Sequence, residues 1–307
     1  MKPPTRLVIA SRQSRLALWQ AEHLRDRLAA IYPSCETTIL GLTTQGDRVL
    51  DRSLAKIGGK GLFIKELEEA LLDGRADLAV HSMKDVPAEL TEDFVIGAVC
   101  AREDARDAWV SADAADPLNL PRGAKVGTSS LRRAALLRAQ RVDLQIVPLR
   151  GNLDTRLAKL DAGECAGIVL ASAGLLRLGL ARRIRSALPA ERFVPAIGQG
   201  ALAIEHLRRR GDLVELLAPI HDVNCAACVD AERAAGRVLN ASCQTPLGVH
   251  AQFSAGGVDA WGFVASVDGQ TVLRARQRGD DPTQVGTAVA AQLLAAGAAA
   301  LIREASA

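Results

Sequence analysis

Leu7-Val8-Ile9-Ala10-Ser11-Arg12-Gln13-Ser14 is a four-residue apolar run that ends abruptly in a polar loop carrying an arginine. Beyond the loop, Ala17, Ala21, Leu24, Leu28 and Ile31 recur at spacings of three and four, which places them on one face of a helix. A buried strand, a polar loop and a helix form the repeating unit of a sheet whose strands are joined by helices. Similar apolar runs return at 76–80, 95–100, 144–149 and 167–171, several with helical patterns behind them. The expected fold class is α/β, with largely parallel sheets.

At 307 residues the chain exceeds what one hydrophobic core organises, so two or three domains are expected. Polar residues 103–107 follow a strand, and Phe193-Val194-Pro195-Ala196-Ile197-Gly198-Gln199-Gly200 precedes a further apolar run at 201–204. Two crossings describe a chain that leaves one domain, builds a second and returns. The expected division is 1–102 with 200–218, then 103–199, then 219–307. A cleft between the first two domains is a common place for a ligand. The last part reads differently: a helix over 226–239, then apolar alternation at 248–254, 258–267 and 271–276. Gly256-Gly257 and Asp268-Gly269 mark the turns between those runs, and a long helix begins at Pro282. This is a smaller α+β domain built on a three-stranded antiparallel sheet with helices.

Composition excludes several classes. Hydrophobic residues make up 49% and charged residues 24%, as in an ordinary globular protein. A net charge of +3 and 3% aromatic residues, with no recognition motif, argue against a nucleic-acid partner. The longest apolar stretch, 288–302, is broken by Gln292 and falls short of the roughly 18 residues a membrane span needs. The first apolar run is too short for the core of an export signal. The expected location is therefore the cytoplasm, with no membrane partner and with Cys35, Cys100, Cys165, Cys225, Cys228 and Cys243 reduced. Cys225 and Cys228 form one Cys-x-x-Cys pair with no second pair to complete a zinc site, so no metal is expected.

Cationic and hydroxyl side chains fall just beyond the expected strands. Arg12 and Ser14 follow the first, and Lys84 and Asp85 follow 76–80 in His81-Ser82-Met83-Lys84-Asp85-Val86-Pro87. Gly127-Thr128-Ser129-Ser130-Leu131-Arg132-Arg133 follows 124–126 and opens a helix; Arg150 follows 144–149, with Arg156 a turn along the next helix, and Arg177 lies beyond 167–171. A single arginine of this kind is ordinary surface charge. Several at strand ends, beside helix starts and hydroxyls, describe a cleft for a ligand with many negative groups.

Asp85 stands apart as a carboxylate in basic surroundings. It reads either as an ion-pair partner or cap, or as a group that stabilises a developing cation or moves a proton. Cys243, on a loop between helix and strand, reads as an accessible thiol or as a buried inert one. Lys56-Ile57-Gly58-Gly59-Lys60-Gly61-Leu62-Phe63 fits neither phosphate-loop spacing and reads as a flap flanked by two lysines.

Taken in order, these segments resemble the porphobilinogen deaminase, or hydroxymethylbilane synthase, family. The resemblance runs from Ser11-Arg12-Gln13-Ser14 through the 54–63 glycine segment, His81–Pro87, Val126–Arg133, Leu149-Arg150-Gly151-Asn152, Thr155-Arg156-Leu157 and Pro195–Gly200 to the Cys243 loop. It implies three domains, the first two similar to each other and to periplasmic solute-binding proteins. It implies an enzyme that joins four porphobilinogen molecules head to tail, releasing ammonia each time, and a monomer. It also implies a dipyrromethane cofactor held through a thioether to Cys243. Lys84, Thr128, Ser130, Arg132, Arg133, Arg150 and Arg156 would hold the cofactor. Arg12, Ser14, Arg177 and Gln199 would meet the substrate, Asp85 would be catalytic, and Lys56, Lys60 and Phe63 would belong to the flap. Ala241-Ser242 stand where the family often has two glycines, and both are small enough to be tolerated. Two readings from other classes compete: an anion-binding solute-binding or sensor protein without chemistry, and a zinc-stabilised regulatory protein using Cys225 and Cys228.

Overall fold

The computed structural model describes residues 4–48, 62–242, 244–254 and 256–306. Lys56, Lys60 and Cys243 therefore lie outside the described residues. The chain divides into two compact units, Met1–Glu103 with Ala201–Ala226, and Asp104–Gly200 with Ala227–Ala307.

In the first unit, β1 (Arg6–Arg12), β2 (Glu36–Leu42), β3 (Leu78–Ser82), β4 (Phe94–Val99) and β10 (Leu202–Leu207) form one sheet in the order β2-β1-β3-β10-β4. Strands β2, β1 and β3 run parallel, while β10 is antiparallel to both of its neighbours. The expectation of largely parallel sheets is thus corrected to mixed sheets. The reason is the returning chain, which inserts β10 beside β3 with its direction reversed. Helix Arg15–Ile31 starts where Ser14 caps it, its Oγ accepting from the Ala17 amide at 3.4 Å. Ala17, Ala21, Leu24 and Leu28 face the core with Leu7, Ile9, Leu78 and Ile204, whereas Ile31, the last residue of the helix, is 37% exposed.

The second unit repeats the arrangement. Here β5 (Asp107–Val110), β6 (Lys125–Gly127), β7 (Gln145–Val147), β8 (Gly167–Ala171) and β9 (Ser186–Ala187) follow the order β7-β6-β8-β5-β9. Again three adjacent strands are parallel and the fourth, β5, is reversed. Trp109 on β5 is fully buried, and Gly167 on β8 makes room for it: a Cβ there would strike the indole ring. In the same unit, β11 (Leu247–Ser254), β12 (Gly257–Ala265) and β13 (Val272–Gly279) form the expected antiparallel meander. Helices Val223–Val238 and Pro282–Ala295 share its core through Ala231, Ala235, Val249, Val264 and Val289. They approach so closely that a Cβ on Gly286 would meet the Ala231 carbonyl, which accounts for small residues along both. Among the described residues no single helix is long and apolar enough to cross a membrane.

Candidate active site

The adjacent parallel strands β1 and β3 end on the same edge of their sheet, and two polar loops meet there. The loop after β1 presents Arg12 and Ser14. The loop after β3 begins with the single turn Met83–Asp85, pinned by buried Met83 and by the Met83 amide donating to the Ala201 carbonyl at 3.0 Å. With Met83 anchored inward, Lys84 is left half-buried and Asp85 exposed. Arg12, Ser14, Phe63, His81, Ser82 and Asp85 line one pocket. Three of the expected site residues, with Phe63 of the expected flap, therefore share a single concavity.

Arg12 is held firmly. Its guanidinium lies 4.3 Å from the centre of the Phe63 ring, and its Nε donates to Oδ2 of Asp47 at 3.2 Å. Burial would raise the Asp47 carboxyl, but hydrogen bonds from Arg12 and Thr44 outweigh it and hold the group below its ordinary range. From helix Arg15–Ile31, buried Gln20 donates to Ser82 Oγ at 2.8 Å and ties the helix to the end of β3.

In the second unit the parallel neighbours β7, β6 and β8 also end on one edge. Thr128 and Ser130 follow β6, Arg150 follows β7, and Arg177 closes helix Ser172–Arg177 after β8. Ser130 caps helix Leu131–Gln140 and Asn152 caps helix Leu153–Asp161, so both helix starts sit at this edge. Arg156 donates from Nε to the Gly151 carbonyl at 2.8 Å, and Arg177 donates to the Gly200 carbonyl at 2.7 Å.

Arg132 and Arg133 are in a different condition from exposed ligand-binding arginines. They are 5% and 6% exposed and converge on Asp107, whose carboxylate lies 2.8 Å from Arg132 Nη1 and 2.7 Å from Arg133 Nη2. The Val194 and Val169 carbonyls accept from the same two guanidinium groups. Gln199, 1% exposed, donates to Asp107 at 2.9 Å and to the Ala105 carbonyl at 2.7 Å. Burial acts to raise the Asp107 carboxyl, and the two guanidinium charges overcome it and hold it far below the usual range.

Two features escaped the sequence reading. Asp107 organises a pair of arginines, and His81 Nε2 contacts buried Glu205 Oε2 at 2.9 Å on the floor of the first pocket. The signal for both was a charged residue inside an apolar strand pattern. Among the described residues no cluster of three or more His, Cys, Asp or Glu could hold a metal ion.

Fold and site together define an α/β protein whose strand ends are furnished for a ligand bearing several carboxylates. The chain belongs to the porphobilinogen deaminase family. Residues 7–215 match the family profile described as porphobilinogen deaminase, dipyromethane cofactor binding domain, and residues 226–295 match the porphobilinogen deaminase C-terminal domain. The porphobilinogen deaminase of Burkholderia vietnamiensis is 56% identical over 300 residues, covering 96% of this chain and 90% of that one. That of Burkholderia orbicola is 54% identical over 307 residues, covering 98% and 92%. Among solved structures, the BvgS periplasmic VFT2 domain of Bordetella pertussis matches at TM-score 0.42 and 17% identity, over 69% of this chain and 85% of that one. The periplasmic aliphatic sulphonate binding protein SsuA of Escherichia coli matches at TM-score 0.41 and 14% identity, over 79% and 73%. The sheet orders described above, rather than these distant likenesses, define the fold.

The protein is accordingly a hydroxymethylbilane synthase, a transferase that joins four porphobilinogen molecules head to tail, with loss of ammonia, into linear hydroxymethylbilane. It uses a dipyrromethane cofactor. The reading as a binding protein without chemistry is not favoured. The donor set in the second unit fits the cofactor chemically: hydroxyls, helix starts and guanidinium groups at one sheet edge suit the acetate and propionate groups of pyrroles.

Proposed function

We propose that Arg12, Ser14 and Asp85 form the substrate end of the reaction, and that their meeting in one pocket carries this reading. Arg12 supplies planar donors to a porphobilinogen carboxylate, with Phe63 and Asp47 fixing its plane. Asp85 places a carboxylate where positive charge develops on the substrate as ammonia leaves. Arg177 and Gln199 are also assigned to the substrate, Gln199 held beside Asp107.

The bound dipyrromethane supplies the pyrrole end from which the chain grows. Thr128, Ser130, Arg150 and Arg156 bind its carboxylates. Arg132 and Arg133 join them with the N–H groups left over from Asp107 and the backbone carbonyls, so their positions are fixed before any ligand arrives. Lys84 adds an ammonium group, and Cys243 is the covalent anchor.

The division 1–102 with 200–218, 103–199 and 219–307 is proposed for the domains, supported by two sheets of like order and a separate meander. The enzyme works as a cytoplasmic monomer with porphobilinogen as its small-molecule partner, and with neither nucleic acid nor membrane. The test of the site is Asp85→Asn. The variant should carry the same cofactor mass as the wild type and lose turnover by about a hundredfold or more, because the cation exists only along the reaction path. An Asn enzyme with near-normal rate removes Asp85 from catalysis.

A further inference from the structure

Behind the substrate pocket lies a buried carboxylate to which no role has been given. His81, near the end of β3, lines the pocket and is 5% exposed. Glu205 on β10 stands opposite Ala79, two residues further back on the same face of the sheet, and is fully buried. Its Oε2 lies 2.9 Å from His81 Nε2, while Oε1 has no hydrogen-bond partner among the described residues. A carboxylate only accepts, so Nε2 carries the hydrogen, and in the neutral ring Nδ1 keeps its lone pair. Cut off from solvent itself, Glu205 meets the pocket through that imidazole.

A buried carboxylate on the floor is a poor neighbour for a ligand with two carboxylates, unless a cation comes between them. Of the charged groups lining the pocket, Arg12 suits a substrate carboxylate and Asp85 is negative; Glu205 adds a second negative charge behind His81. Other polar side chains there have local partners: Ser14 Oγ accepts from the Ala17 amide, and Gln20 donates to Ser82 Oγ. Porphobilinogen carries one cation besides its two carboxylates, the ammonium of its aminomethyl group. We propose that His81 is the acceptor for that ammonium. Nδ1 takes one of its N–H bonds, and Glu205 holds the ring and supplies negative charge behind it. Binding alone is involved, and no bond or proton is exchanged. The pair recognises the group that the reaction removes, while Arg12 holds a carboxylate. The inference rests on the reading of the Arg12–Asp85 pocket as the substrate site.

The test compares two ligands on cofactor-loaded enzyme. One is porphobilinogen, read by its KM; the other is its analogue with methyl in place of aminomethyl, read by its inhibition constant. The analogue keeps both carboxylates and lacks the ammonium. In His81→Gln the new amide can still donate to Glu205, and the Nδ1 acceptor is gone. KM for porphobilinogen should rise about tenfold, the scale of one charge-assisted hydrogen bond, while the inhibition constant of the analogue stays within about twofold. Glu205→Gln keeps an oxygen for Nε2 and removes the charge. It should raise KM about threefold and again spare the analogue. Normal binding of the analogue also shows that a variant is folded, and should His81→Gln not fold, Glu205→Gln decides by the same comparison. Equal weakening of both ligands would mean that the pair only shapes the pocket or faces a carboxylate, and it overturns the proposal. Wild-type values for both ligands overturn it too. Arg12→Gln separates the two levels, because it should weaken both ligands. If it spares both, the pocket reading itself fails; if it weakens both while His81→Gln treats the two alike, only the ammonium proposal fails.

Discussion

Oδ1 of Asp107 lies 2.7 Å from Nη2 of Arg133, and both side chains are cut off from solvent. The neighbouring Arg132 completes a pair of cations on a single carboxylate. Two positive charges on one negative charge leave the group with a net positive charge. Asp107 neutralises enough charge for the two arginines to be buried.

Removing that carboxylate exposes the dependence. Asp107→Asn should destabilise the protein by about 3–5 kcal/mol, because two buried guanidinium groups lose their counter-ion. Urea denaturation at neutral pH measures it, and a shift within a few tenths of a kcal/mol would show the pair to be solvated instead. The wild type carries the matching pH signature. The Asp107 carboxyl is depressed in the folded state, so its contribution is fully present above the ordinary Asp value near 3.9 and is lost as pH falls below it. Denaturation curves between about pH 5 and 2 should show that loss, and Asp107→Asn should show less of it.

Arg12 should govern affinity more than rate. Arg12→Gln is expected to raise KM for porphobilinogen by about tenfold, the scale of one charge-assisted contact, with a smaller fall in kcat. Steady-state kinetics decides. A fall in kcat with KM unchanged would place Arg12 in the chemical step.

The covalent anchor is tested by mass. Intact wild-type protein should exceed the mass of its sequence by two porphobilinogen units less two ammonias, and Cys243→Ser should show no excess. A Cys243→Ser protein that still carries the pyrroles would move the anchor to another of the six cysteines.

Gly248 on β11 should resist enlargement. A Cβ there would stand 2.5 Å from the Pro195 carbonyl oxygen and 2.9 Å from that of Val194, and neither is free to move. Since the Val194 carbonyl also accepts from Arg132, Gly248→Ala should cost about 1–3 kcal/mol by urea denaturation and loosen the arginine pair. A neutral effect would mean that the segment before Gly200 yields readily.

Much of this was legible in the chain itself. Short apolar runs followed by Arg12, Lys84, Ser130 or Arg150 identify strand ends, because hydrophobic periodicity and its interruption are local properties. Partners far apart in sequence are not local. Arg132 finds Asp107 25 positions away, and His81 finds Glu205 124 positions away. Nothing in either neighbourhood names the other. The reversed strands were missed for a related reason. β5 begins with Asp107 in a segment that reads as a polar crossing, and β10 carries Glu205 and His206 within an apolar run, so each hides its role behind a charge whose partner lies elsewhere.

The position of β10 constrains how the chain is made. It occupies the place between β3 and β4, yet it is synthesised roughly a hundred residues after them. On a ribosome adding about 5–20 residues per second, the first sheet waits roughly 5–20 s with a gap between β3 and β4. During that interval the facing edges of β3 and β4 are unpaired, while the whole of the intervening β5–β9 sheet can already close. Nascent chains stalled with β9 outside the ribosome and β10 still inside its exit tunnel should therefore protect the later sheet from proteolysis while leaving the earlier one open, an inversion of the usual order in which what emerges first folds first.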